Sequence, residues 1–237
     1  MTLEGSTLRT SLIAIVGLAV SSGCAPEATV AVGGPINDLG NSEPLAGVEV
    51  CWVDADQCTQ TGVDGRYRFE GVPAGSEMTL TIDAPGYAAG LVPVGVGAIE
   101  LEVAPLALGS TLLMELQAGL LGVPSIPGTG QLVFGVSNGI PGDGINVPDI
   151  SASLTPAAGE GPFYTTPAGL PNTELESTSA HGGGVLVNIP SGRYTLDHVG
   201  LPAGCTMVLG WGQPSAVDFE VQADRATYIR IECMAGS

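Results

Sequence analysis

Hydrophobic and polar residues alternate with a period of two over much of this chain. Between Gly47 and Val53, every second residue is large and apolar: Val48, Val50 and Trp52. This period predicts a β-strand with one buried face. Turn sequences rich in Gly, Pro and Asp separate it from other short apolar stretches. These further predicted strands are Tyr67–Phe69, Met78–Ile82, Leu91–Val94 and Ile99–Val103. Short strands at this spacing predict a β-sandwich.

The alternation stops between Ser110 and Gly122. Leucines recur there at helical spacing: Leu112, Leu113, Leu116, Leu120 and Leu121. Ser110 is suited to cap the N-terminus of a helix, and Gly122 is suited to end it ahead of Pro124. We expect a single helix whose leucine stripe packs between two domains. A membrane-active segment is the weaker alternative, because the helix has no basic face.

A second β-rich region begins at Gly130. Its predicted strands are Gln131–Val136, Ile150–Leu154, Val185–Val187, Tyr194–Leu196, Met207–Trp211, Val217–Val221 and Ala226–Ile231. The polar stretch from Thr155 to Gly184 contains several prolines and predicts a long loop. Loops of that length are commonly functional or disordered.

Four motifs follow one another in the first region. They are Leu45–Val50, Asp64–Phe69, Val72–Gly75 and Ala84–Tyr87. Their order and spacing resemble the carboxypeptidase regulatory-like family over roughly residues 28 to 105. The resemblance implies a transthyretin-like, prealbumin-fold β-sandwich. It also implies a non-catalytic accessory domain, because the family takes its name from sitting beside a peptidase.

Part of the second region repeats the sequence pattern of the first. The stretch Gly184–Leu196 parallels Arg66–Leu80, with Ile189–Gly192 in the place of Val72–Gly75. The second region lacks the Asp-Gly turn and the Pro-Gly-Tyr motif, so it is expected to be a divergent copy. The expected fold class is all-β: two tandem antiparallel β-sandwiches, prealbumin-like or Ig-like, joined by a short helix.

The N-terminal segment has the pattern of an export signal. An apolar run from Leu12 to Val20 is too short to span a bilayer, and Ser21-Ser22-Gly23-Cys24 follows it. A cysteine directly after small residues resembles the lipobox of bacterial lipoproteins, where that thiol takes a diacylglycerol. We therefore expect Cys24 to be lipidated. The alternative is an ordinary secretory signal cleaved near Ala25. By analogy with enteric sorting, Ala25 favours the outer membrane, at its periplasmic face or at the cell surface.

These patterns divide the chain into five parts. The expected parts are a lipoprotein signal peptide (1–23), a leader or linker (24–44), a carboxypeptidase regulatory-like sandwich (45–108, with a strand from about 28), a helical connector (109–128) and a second sandwich (129–237).

Four cysteines remain beyond Cys24, and sequence alone does not choose among their three pairings. We favour Cys51–Cys58 and Cys205–Cys233, because each pair lies within one strand-rich stretch and the two stretches are far apart. Disulfides persist only in an oxidising compartment. Zinc is the weaker alternative, since the spacings are not CxxC and the chain has only two histidines.

Charge excludes several functions. The chain has a net charge of -18 and contains no lysine. The acidic balance argues against nucleic acid and against electrostatic docking on anionic lipid. The lack of lysine excludes a P-loop, a Schiff base and a Ser-Lys dyad. The 36 glycines and 18 prolines favour short strands and frequent turns.

Candidate chemistry is sparse. Gly135–Gly139 matches the G-x-S-x-G pattern around Ser137, but the residues that follow forbid the helix a nucleophile elbow needs. His181 and His198 form no zinc-binding motif, and we expect no metal and no cofactor. Three acidic turn residues are expected to be solvated rather than to bind calcium: Asp54, Asp56 and Asp64. The candidate ligand contacts are Trp211, Tyr164 and Phe163, as a sugar-stacking platform.

The expected function is that of a non-catalytic, lipid-anchored envelope protein, acting as a structural scaffold or a protein-binding module. Its partners would be the membrane, through the anchor, and an envelope protein or polysaccharide. Carbohydrate binding through the second sandwich is the alternative, which exposed and coplanar Trp211 and Tyr164 would favour. A serine hydrolase is the third and weakest.

Overall fold

The computed structural model describes residues 28–139 and 146–234. Cys24, the predicted lipidation site, and the predicted signal peptide lie outside the described residues. Within the two described ranges, no helix has the length and apolar character needed to cross a membrane.

The described residues form β-strands and one α-helix, so the predicted all-β class is confirmed. The strands of the first half are β1 (Thr29–Asp38), β2 (Glu49–Trp52), β3 (Gln57–Gln60), β4 (Arg66–Pro73), β5 (Glu77–Asp83), β6 (Gly90–Gly95), β7 (Leu101–Glu102) and β8 (Leu106–Leu108). Helix α1 (Thr111–Leu121) follows. The strands of the second half are β9 (Thr129–Ser137), β10 (Ser151–Thr155), β11 (Glu160–Tyr164), β12 (Gly183–Pro190), β13 (Gly192–Val199), β14 (Cys205–Leu209), β15 (Trp211–Gln213), β16 (Ala216–Val221) and β17 (Ala226–Cys233).

The first sandwich packs two sheets face to face. One has the order β4-β1-β7, with β8 also paired to β1, and the other has the order β6-β5-β2-β3. The alternation predicted for the Gly47–Val53 stretch is confirmed, because Val48, Val50 and Trp52 are all buried in the core. Strand pairing is mostly antiparallel, but β1 runs parallel to both β7 and β8.

The second sandwich packs the sheet β10-β13-β16-β15 against the strands β11-β12-β9-β17. The core between them is apolar and includes Leu132, Phe134, Leu196, Phe219 and Ile231. The long loop predicted between Thr155 and Gly184 is partly wrong. The stretch contains the edge strand β11, and Thr178 within it is 2% exposed. The Thr178 hydroxyl donates to Val147 O at 2.8 Å, which secures the rest of the stretch to the sandwich.

One continuous nine-stranded sheet joins the two sandwiches. Strand β17 runs parallel to β9 along one edge, while its first residues, Ala226 and Thr227, pair in parallel with Gly90 and Leu91 of β6. The last part of the same β17 edge pairs with β14. Alternate side chains of β17 pack into different hydrophobic cores. Tyr228 packs into the core of the first sandwich, and Ile229 and Ile231 pack into the core of the second. The two halves are therefore joined by a shared sheet as well as by the predicted helix.

Strand β1 lies inside the predicted leader. It spans Thr29–Asp38, pairs with strands on both sides, and buries Val32 and Ile36 completely. The strand expected from about residue 28 is thus a central element of the first sandwich, and it occupies residues 29–38 of the expected leader (24–44).

Helix α1 begins and ends where the sequence predicts. Ser110 accepts a hydrogen bond from the Leu113 amide, and Gly122 adopts a left-handed conformation at φ 65°. The predicted packing of its leucine stripe is wrong for three of the five residues. Leu112, Leu116 and Leu120 are 66%, 61% and 60% exposed. Apolar residues lie all around this helix, and one side of it cannot bury them all against the sheet.

Candidate functional site

Both predicted disulfides are present. Cys51 lies directly opposite Cys58 in the β2–β3 hairpin, and Cys205 lies directly opposite Cys233 between β14 and β17. The first hairpin closes because Asp56 takes a left-handed conformation at φ 51° after a short 3-10 turn. The two bridges indicate an oxidising, extracytoplasmic compartment.

The predicted aromatic platform is not formed. Trp211 is 8% exposed and its indole N–H donates to Val94 O at 3.4 Å, so its ring fills the junction between the halves. Tyr164 is 2% exposed, and its hydroxyl accepts from the Ala152 amide at 2.8 Å. Only Phe163 is partly exposed, on the edge strand β11. Of the three candidate ligand contacts, Trp211 and Tyr164 are therefore core residues.

Ser137 has no base beside it among the described residues. Its hydroxyl donates to Ile231 O at 3.4 Å and accepts from Arg230 Nη2 at 3.5 Å. Neither the Ile231 carbonyl nor the Arg230 guanidinium can accept the hydroxyl proton as a general base. Within the described ranges, no group of three or more His, Cys, Asp or Glu side chains is placed to hold a metal ion.

His198 is buried against aromatic residues. It is 7% exposed, and its ring lies 5.9 Å from that of Phe134 in an edge-to-face arrangement. Neither ring nitrogen has a hydrogen-bond partner among the described residues. Burial lowers the pKa of His198 to about 4, against a smaller opposite effect of the Pro214 carbonyl. The ring is therefore a neutral core residue at pH 7.

An open groove of about 670 Å³ lies where the two sandwiches meet. We call it the junction groove. Its floor is the outer face of the nine-stranded sheet, formed by Val133 and Gly135 of β9, Val185 of β12, and Arg230 of β17. Val185 pairs with Val133, and Gly135 pairs with Arg230, so these side chains share one face.

The first half of the chain supplies one wall of the junction groove. Leu113, Met114 and Gln117 of α1 lie beside Leu39 and the stretch 105–107. The second half supplies the other wall, from Thr165, the stretch 168–171 and His181. Leu39 and Leu170 are 45% and 48% exposed, so the groove has an apolar rim on both sides.

Gly135 keeps the floor of the junction groove open. A Cβ atom placed on Gly135 would have no heavy atom within 4 Å. Other strand glycines differ: at Gly184 a Cβ would lie 2.5 Å from the Phe134 ring, and at Gly130 it would lie 2.4 Å from Gln222 O. Gly184 and Gly130 are thus required for packing, whereas Gly135 leaves accessible space above the sheet.

The electrostatics of the junction groove differ from those of the whole chain. None of the described residues that line it is Asp or Glu, although the net charge is -18. Desolvation lowers the pKa of His181 below its ordinary value, so this ring is mostly neutral at pH 7. Arg230 is then the one positive charge among the described lining residues.

Sequence reasoning did not find the junction groove. The only signal in the sequence is the alternation along β17, where Ile229 and Ile231 are apolar. The residues between and beside them, Tyr228, Arg230 and Glu232, are thereby predicted to share the opposite face of the strand. That this face lies between two walls depends on the pairing of β17 with both halves of the chain.

Comparison with known proteins does not assign a family. No family model matches the chain, and no curated protein matches it. Among solved structures, the Bacillus anthracis TIE protein matches at 14% identity over 87% of this chain and 34% of that chain, with a TM-score of 0.28. The chain thus spans about a third of that protein.

Two pilins match over a similar range. The Streptococcal ancillary pilin matches at 13% identity over 87% of this chain and 63% of that chain, with a TM-score of 0.27. GBS52, the minor pilin of Streptococcus agalactiae, matches at 11% identity over 87% of this chain and 97% of that chain, also with a TM-score of 0.27. Superpositions this loose carry no argument about function.

Proposed function

We propose that this protein is a non-catalytic, lipid-anchored envelope protein that acts as a structural scaffold and protein-binding module, with the junction groove as its binding surface. The observation that carries the proposal is the groove itself. Its floor is the middle of a nine-stranded sheet, so the binding surface is pre-formed and held rigidly. Its apolar walls and rim offer contact area to a partner.

The disulfides support export, and β1 sets the geometry of the anchor. Because β1 begins at Thr29, a lipid on Cys24 would be separated from the first strand by residues 25–28 alone. That tether reaches at most about 17 Å. The first sandwich is therefore expected to lie close to the membrane surface, with little freedom to search for a distant partner.

The anchor is tested by labelling cells with an alkyne analogue of palmitate. Label on the wild-type protein and its loss in Cys24→Ser would support lipidation at Cys24. An unlabelled wild-type protein that is processed near Ala25 and released from the membrane would support the ordinary secretory signal and contradict the anchor.

Binding at the groove is tested by site-specific photo-crosslinking in intact cells. A photoreactive phenylalanine analogue is placed at Gln117 in one groove wall, and at Val63, which is 95% exposed elsewhere, as the control. The proposal expects one envelope protein to be captured from Gln117, not from Val63, and to be lost when Gly135→Phe fills the groove. Equal capture from both positions, or none from Gln117, would contradict it.

A further inference from the structure

We infer that the junction groove binds a short apolar peptide segment that carries one carboxylate, and that Arg230 is the residue that receives it. The inference rests on the proposed binding function and specifies the chemistry of the ligand. It is drawn from the pairing of the arginines, the polar groups of the walls and the open floor at Gly135.

Arg230 is unusual among the arginines in the described ranges. Arg66 pairs with Glu102, Arg68 pairs with Glu70 and Glu100, and Arg225 pairs with Asp83. Arg193 has no ion-pair partner among the described residues, but it is exposed to solvent. Arg230 is partly buried in the groove, and its only side-chain hydrogen bond among the described residues is to the Ser137 hydroxyl, at 3.5 Å.

A guanidinium in an apolar groove favours an anionic partner. Its partial removal from water is unfavourable unless an anion compensates, and its fork of N–H donors matches the two oxygens of a carboxylate. Because none of the described lining residues is acidic, no described residue supplies that carboxylate within the groove. The strongly acidic surroundings disfavour multiply charged anions, so one carboxylate on an otherwise apolar segment fits best.

The side-chain amides on the two walls of the junction groove favour a peptide as the ligand. On one wall the Gln117 side chain has no hydrogen-bond partner among the described residues, and on the other wall the Asn146 side chain uses only its NH₂ among them, to His181 O at 2.7 Å. The amide of Gln117 and the Asn146 carbonyl oxygen remain available for backbone groups. Between them, Val133, Gly135 and Val185 provide a flat apolar floor for side chains. Amide groups along both sides of an apolar floor suit an extended peptide.

The experiment is selection of phage-displayed random peptides on the full-length protein, followed by fluorescence polarisation with fluorescein-labelled copies of the enriched peptides. We expect enriched sequences to place one Asp or Glu among apolar residues. Arg230→Gln should weaken their binding about tenfold or more, while Arg230→Lys should weaken it less. The matched control Arg193→Gln should change binding by less than about twofold.

Two further comparisons separate the inference from the proposed function. Replacing the peptide's Glu by Gln should weaken binding to the wild type but not to Arg230→Gln, since the interaction is then already lost. Gly135→Phe should abolish binding, whereas Gly135→Ala should retain it. Thermal unfolding of each variant checks that it is folded.

Three results would overturn the inference. Peptides that are lost in Gly135→Phe but unaffected by Arg230→Gln would leave the groove as a binding site and refute the carboxylate. Peptides that still bind Gly135→Phe would refute the groove, and the proposed function with it. A selection that enriches no peptide would refute the peptide ligand, while the cross-linking experiment would still decide the proposed function.

Discussion

Arg225 holds Asp83 in a two-pronged ion pair across the junction of the two sandwiches. Arg225 Nη1 lies 3.1 Å from Asp83 Oδ1, and Nη2 lies 3.1 Å from Oδ2. Nη1 also donates to Gly90 O at 3.1 Å. Asp83 ends β5 and Gly90 begins β6, so one guanidinium from the second half fixes two strand ends of the first. The contact lies next to the parallel pairing of β17 with β6.

Replacing Arg225 should therefore weaken the junction. We expect Arg225→Gln to lower the free energy of unfolding by about 1–2 kcal/mol, because a partly buried two-pronged pair and a bond to a carbonyl are lost together. The control is Arg66→Gln, whose pair with Glu102 is exposed and screened by solvent, so its loss should lower the free energy of unfolding clearly less. Urea unfolding monitored by circular dichroism measures both. Equal losses would show that the Arg225 pair adds nothing specific to the junction.

Asn188 secures the segment between α1 and β9. Its side-chain oxygen accepts from the Ile126 amide at 2.9 Å, and its NH₂ donates to Pro124 O at 3.0 Å and to Glu160 Oε1 at 2.9 Å. Asn188 also adopts φ 57°, which most residues avoid. We expect Asn188→Gly to lose these hydrogen bonds but to adopt the left-handed backbone without strain. Asn188→Ala should lower the free energy of unfolding by about 1 kcal/mol more, because alanine is strained in that conformation.

Limited proteolysis would measure the effect of Asn188 on this segment. Both substitutions should increase cleavage within residues 123–128, and differential scanning calorimetry should give a lower melting temperature for Asn188→Ala than for Asn188→Gly. Unchanged cleavage in both variants would show that the segment is held by other contacts.

Protonation of His198 should make stability depend on pH. The unfolded imidazole takes up a proton near its ordinary pKa of 6.5, whereas the buried ring stays neutral down to its pKa of about 4. Between these values the unfolded state binds more protons, so the free energy of unfolding decreases as the pH falls. The neutral His198 ring makes its full contribution to the free energy of unfolding above about pH 7. About 3 kcal/mol of that free energy is lost by pH 4.

The test for His198 compares urea unfolding between pH 7.5 and 4 in the wild type, His198→Phe and His181→Gln. His198→Phe should remove most of this component, since an uncharged ring replaces the imidazole beside Phe134. His181→Gln should retain it. An identical pH dependence in wild type and His198→Phe would contradict the prediction.

The two disulfides should contribute unequally to stability. The Cys205–Cys233 bridge closes a separation of 28 residues and the Cys51–Cys58 bridge a separation of 7. On chain-entropy grounds, the longer loop contributes about 3.5 kcal/mol and the shorter about 2.5 kcal/mol. Paired Cys→Ala variants should show this order in urea unfolding. The reverse order would show that constraint of the unfolded chain is not the main effect.

Local sequence determined the features that depend on near neighbours. Ser110 and Gly122 mark the ends of α1, because a cap needs only the next few residues. Val48, Val50 and Trp52 face the core, because alternation is a property of the strand itself. The Cys51–Cys58 bridge follows from a short hairpin.

Tertiary structure alone decided the features that depend on distant pairing. Strand β17 inserts between β9 and β6, and no local pattern encodes which strands meet across such separations. That insertion joins the two cores, and Trp211 is buried where they meet. The insertion also places Arg230 on the floor of a groove whose two walls come from different halves of the chain. The sequence by itself determined an exported β-rich protein with one capped helix; the junction groove exists only because non-local strand pairing joins two cores through one sheet.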